Sequence, residues 1–131
     1  MAGTHEQSST ALQDVSSAMV RLHKEQFGRG ATHARSDFAG ADTLVCVLQN
    51  VLLPAELKLI EMGSQERVRE SRVAYQAATA PDFIAAVEQI VHRRVRAFAS
   101  GVDPEENVVF ETFLFEPRGS DGDGDGNGWL S

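Results

Sequence analysis

Arginine is the residue type in this chain best suited to surface chemistry. Ten of the twelve basic residues are Arg, and six of them fall in two groups: Arg67, Arg69 and Arg72, then Arg93, Arg94 and Arg96. A seventh, Arg29, lies between two glycines in Gly28-Arg29-Gly30. A guanidinium presents a planar fork of N–H donors that matches a carboxylate or a phosphate two bonds at a time. These seven residues form the candidate binding set, for an acidic partner surface or a small anion. The plainer account is ion pairing with Glu66, Glu70 and Glu88 along solvated helix faces. Gly28-Arg29-Gly30 is not a dinucleotide fingerprint, because the third glycine position is His33 and the segment follows a helix. A helix stop and a turn explain both glycines.

Other chemistries find little support. The four histidines, His5, His23, His33 and His92, show no metal-ligand spacing and read as surface or capping residues. Cys46 is the one cysteine, sits in an apolar run and lacks a Cys-X-X-Cys partner. It reads as a buried, unreactive thiol in a reducing compartment. No Gly-X-Ser-X-Gly elbow occurs, and no carboxylate pair is placed for acid–base work. Asp121-Gly122-Asp123-Gly124-Asp125-Gly126 matches half of a calcium loop, but its twelfth position falls beyond Ser131. It reads as a solvated acidic tail. The expectation is therefore a protein that is not an enzyme, with no catalytic residues, no metal and no cofactor.

Charge and hydropathy narrow the partners. The formal net charge is −7, a poor match to polyanionic nucleic acid. The longest apolar stretch, Leu44 to Leu53, is interrupted by Gln49 and Asn50 and falls short of the roughly 20 residues a membrane span needs. The N-terminus lacks a basic region followed by an apolar core, so it does not read as a signal peptide. These features predict a cytoplasmic protein without direct membrane insertion, peripheral to a membrane only through a partner.

The elements that must position the arginines follow from periodicity. Residues 1–8 read as disordered. A helix starts at Ser9 or Thr10, carries Leu12, Val15, Met19 and Leu22 on one face, and stops at Gly28. Residues 31–39 read as a half-exposed strand, and Thr43 to Val51 as a central one. Pro54 opens a short helix, and Ser64 caps a longer one with Val68, Tyr75 and Ala78 on its stripe. Pro81 either kinks that helix or divides it. Val95–Ser100 and Val108–Phe115 read as strands. The order α-β-β-α-α-β-β predicts a two-layer α+β fold: two β-hairpins in one four-stranded, mainly antiparallel sheet with helices on one face. The single domain spans 9–117, and the Gly/Asp-rich residues 118–131 read as a disordered tail. An open sheet face would suit a second copy, so a homodimer is expected.

Several segments resemble one bacterial family in order and spacing. They are Val20-Arg21-Leu22-His23-Lys24-Glu25-Gln26-Phe27-Gly28-Arg29-Gly30, Leu52-Leu53-Pro54-Ala55-Glu56, Val68-Arg69-Glu70-Ser71-Arg72 and Gly101-Val102-Asp103-Pro104-Glu105. The family, long known as a domain of unknown function, is now called MpsC-like, after a component of a Na+-translocating, membrane-potential-generating system. The resemblance covers about residues 10–117. Leu53 departs from it, since a small polar residue is common before the Pro-Ala-Glu. The family has no accepted catalytic residues to carry over. The resemblance implies an accessory subunit of a membrane ion-transport or bicarbonate-supply system, with a membrane transport protein as partner. The alternative is a regulatory module that senses a small anion or a nucleotide at the arginines.

Overall fold

The computed structural model describes the backbone of residues 2–118 and the side chains of residues 9–118. Its elements are α1 (Ala2–Phe27), β1 (His33–Phe38), β2 (Thr43–Gln49), α2 (Pro54–Glu61), α3 (Gln65–Val91), β3 (Val95–Asp103) and β4 (Val108–Phe115). This is the expected order. The four strands form one sheet, β1-β2-β4-β3, and every neighbouring pair is antiparallel. Each sequence hairpin is a hairpin in space. The two join through β2 and β4, the most apolar strands, which gain most from a central position.

Helix α1 begins seven positions before the Ser9 expected from the sequence. No proline stands in residues 2–8 to stop it, so the backbone runs on past the capping hydroxyls. Its stripe of Val15, Met19 and Leu22 is buried, as the periodicity predicts. Gly28 adopts a left-handed φ of 87° and returns its N–H to the Lys24 carbonyl at 2.8 Å. Gly30 serves close approach instead. A Cβ there would lie 3.1 Å from Val20 Cγ1, so a side chain would push α1 off the turn.

Pro81 neither divides nor ends α3, which is continuous over 27 residues. The carbonyl that the proline leaves unpaired belongs to Ala77, an exposed position open to solvent. The buried stripe of α3 is Val68, Arg72, Gln76, Phe83 and Val87, not Val68, Tyr75 and Ala78. Tyr75 and Ala78 face solvent. Ser64 makes no side-chain cap bond. Strand β3 extends three residues past Ser100, because Gly101, Val102 and Asp103 find partners in Phe110, Val109 and Val108.

Leu53 has no polar atom to cap α2, and the helix is held from the other direction. Glu56 Oε1 accepts the Leu53 N–H at 2.8 Å. Upstream, Asn107 Oδ1 accepts both the Val51 and Leu52 N–H groups, at 2.9 and 3.0 Å. One side chain thereby satisfies two donors of the β2–α2 connection that would otherwise be stranded near the core.

Candidate functional site

The structure does not gather the seven arginines. The two groups lie toward opposite ends of α3, roughly 30 Å or more apart at the rise of an α-helix. Arg72 is only 3% exposed and is held inside the fold. Its Nε and Nη2 donate to Glu56 Oε2 and Oε1 at 2.8 and 2.6 Å, and its guanidinium lies 4.0 Å over the Phe27 ring. Burial pushes the Glu56 carboxyl up, but the bonds from Arg72 and Leu53 and the Arg72 charge outweigh it, so the group stays below its ordinary 4.5. Arg93 binds Asp42 Oδ1 at 2.6 Å and the carbonyls of Ala41 and Glu116. It clamps the β1–β2 turn to the end of β4. Arg29 donates to the Asn50 carbonyl at 3.1 Å, and Arg69 pairs with Glu66 at 3.0 Å. Arg96 is exposed on β3 and is also engaged within the chain. Among the described residues, the exposed Arg67 and Arg94 side chains have no polar partner.

Sequence reasoning missed a polar row across the inner face of the sheet. Ser36, Cys46, Glu111 and Ser100 stand side by side on β1, β2, β4 and β3. Helices supply the partners. His23 Nε2 is 2.7 Å from Glu111 Oε2, and Gln76 Nε2 donates to the same oxygen at 2.9 Å. The Ser16 hydroxyl meets the Ser36 hydroxyl at 2.7 Å. His23 is thus fully buried, a correction to its reading as a surface or capping residue. Its helix position, one residue after buried Leu22, turns it inward between α3 and the sheet. One signal was readable: Glu111 shares strand parity with Val109, Phe113 and Phe115, so alternation sends it inward.

The chemistry of this row is restrained. Burial, with the Glu111 charge adding to it, pushes the Cys46 thiol up to about 11. At neutral pH it is a thiol, not a thiolate nucleophile. Glu111 Oε1, Gln76 Oε1, His23 Nδ1 and Arg72 Nη1 are buried without a hydrogen-bond partner. Among the described residues, no cluster of His, Cys, Asp and Glu could hold a metal. The Asp/Gly repeat considered for calcium lies outside the described residues.

The outer face of the sheet is of a different kind. Strand parity places Val45 and Val47 of β2, Val108, Phe110 and Leu114 of β4, and Ala97 and Ala99 of β3 on this side. Phe110 is 44% exposed. All the buried residues of α1 and α3 pack on the opposite side, so no described helix covers this apolar surface.

No helix of the described residues is long and apolar enough to cross a membrane. No curated protein and no solved structure matches the chain. A family model does, over residues 8–117, under the description Na+-translocating membrane potential-generating system (MpsC). With nearly the whole described fold inside that match, the chain belongs to the MpsC family.

Proposed function

We propose that the chain is a non-enzymatic accessory subunit of a Na+-translocating, membrane-potential-generating system. It works by docking, on the cytoplasmic side, against an apolar surface of a membrane component of that system. The observation that carries this reading is the outer sheet face: Val45, Val47, Phe110 and Leu114 stand together without a helix over them, while the other face holds the entire core. Exposed apolar surface of this kind marks an interaction site. The family description supplies the system. The arginines weigh less than the sequence suggests, since Arg29, Arg72 and Arg93 are engaged within the fold.

The test is affinity purification of the tagged full chain from mildly solubilised membranes of its host, followed by mass spectrometry. The expected result is recovery of an integral-membrane component, lost on Phe110→Asp while circular dichroism stays unchanged. Recovery of the chain alone, from the soluble fraction, would overturn the docking role.

A further inference from the structure

The sheet ends in two edges, β1 and β3, and they differ. Strand β3 slips register between Val95 and Ala97. Such irregularities twist an edge and blunt it against further pairing. Strand β1 keeps one unbroken register, from His33 opposite Gln49 to Phe38 opposite Leu44. Ala39 donates its N–H to the Thr43 carbonyl at 2.8 Å. Hydrogen-bonded pairs alternate along an antiparallel ladder. Asp37 and Arg35 therefore turn their backbone groups toward β2, and Ala34, Ser36 and Phe38 turn theirs to the free edge.

We propose that this edge is the seam of a homodimer. The β1 of a second copy adds antiparallel about a twofold axis through Ser36, and two four-stranded sheets become one of eight strands. Three features of β1 fit a second copy of itself. Ser36, on the axis, has its N–H and C=O turned outward, as a hydrogen-bonded central pair requires. Arg35 and Asp37 flank it on the outer face, 82% and 64% exposed, and now bond to each other within one strand at 3.1 Å. About the axis, Arg35 of each copy stands opposite Asp37 of the other, in the closer, non-hydrogen-bonded pairing. On the inner side Phe38 is 38% exposed. It comes opposite Ala34 of the second copy, beside a depression of about 370 Å³ lined by Ser16, Ser17, Val20, Arg21 and Ala34. The ring fills that hollow, once in each direction, as an isologous interface demands.

An edge-to-edge join keeps both helix layers on one side. The two outer faces then lie side by side on one sheet, their apolar patches flanking a central strip of Arg35 and Asp37 from both copies. The dimer does not depend on the docking role, and the two fail in separate experiments.

The test is the mass of the full chain by size-exclusion chromatography with light scattering, at low salt so that the charge pairs are not screened. Wild type is expected at twice the 14.2 kDa chain mass. Arg35→Asp and Asp37→Arg each place like charges across the seam, and each alone is expected at 14.2 kDa. Mixed in equal amounts, the two variants are expected to regain the doubled mass, because every charge then meets its opposite, and only across the seam. Phe38→Ser is expected to weaken the dimer at least about tenfold, the loss of one buried apolar contact per direction. A wild type that stays monomeric at tens of micromolar, a dimer indifferent to these changes, or a mixture that stays monomeric would overturn the proposal. So would loss of the dimer on Phe110→Asp alone, which moves the second copy to the outer face.

Discussion

His23 of α1 and Glu111 of β4 meet through a 2.7 Å contact with both side chains fully buried, 88 positions apart in the chain. Glu111 takes a second bond, from Gln76 of α3, on the same oxygen. Three elements are thus tied at one carboxylate atom. Removing Glu111 strands two buried polar groups at once, each at a cost of about 1–3 kcal/mol. Glu111→Ala is therefore expected to destabilise by more than His23→Ala or Gln76→Ala. The His23/Glu111 double-mutant cycle by urea unfolding is expected to show coupling of about 0.5–3 kcal/mol. Strict additivity would deny the contact.

Arg72 and Arg67 test the difference between a structural and a surface arginine, five positions apart on one helix. Arg72→Ala leaves Glu56 half-buried without its partner and empties the space over Phe27. A loss of about 3–5 kcal/mol is expected, as for other broken buried ion pairs. Arg67→Ala is expected within about 0.5 kcal/mol of wild type. Equal effects in chemical denaturation would contradict the burial of the Arg72–Glu56 pair.

Glu56 also sets an acid limit on stability. Its folded carboxyl titrates below the ordinary 4.5, so the unfolded chain binds its proton first as pH falls. The stabilisation is complete above that ordinary value and is lost as pH drops through the folded one. Unfolding free energies measured from about pH 6 down to pH 3 are expected to fall more steeply for wild type than for Glu56→Gln, which has no proton to take up. Parallel curves would remove Glu56 from the acid response.

Cys46 gives a chemical readout of the core. With its thiol raised to about 11 by burial and by Glu111, it is expected to resist iodoacetamide at pH 8 in the native protein. In urea it is expected to react at the rate of a free thiol. Fast native labelling would mean that α1 opens from the sheet.

Asn107 is predicted to be the most sensitive residue among the loops. It holds a left-handed φ of 58° and binds two N–H groups before α2. Asn107→Gly keeps the backbone freedom and loses both bonds. Asn107→Ala loses the freedom as well, and is expected to be the less stable of the two by thermal unfolding, by about 1 kcal/mol. The reverse order would show that the left-handed backbone at this position carries no penalty for a side chain.

The amino-acid order by itself determined the elements and their sequence, the antiparallel hairpins, the family, and the inward face of α1. These are local properties: an apolar period such as Val15, Met19 and Leu22, a proline at the start of α2, a glycine at the end of α1. It also placed Val108, Phe110 and Leu114 on one side of β4 and Val109, Phe113 and Phe115 on the other, because side-chain direction in a strand needs only counting. Tertiary structure decided the rest. An apolar period cannot find the inner stripe of α3 when that stripe carries Arg72 and Gln76 among Val68, Phe83 and Val87. Those polar residues are affordable inside only because Glu56 and Glu111, 16 and 35 positions away, arrive to bond them. The same holds for His23, a surface residue by composition and a core residue by virtue of one distant carboxylate. Strand order and the free β1 edge likewise follow from how the two hairpins meet at β2 and β4, a choice made by packing between elements and by no residue alone.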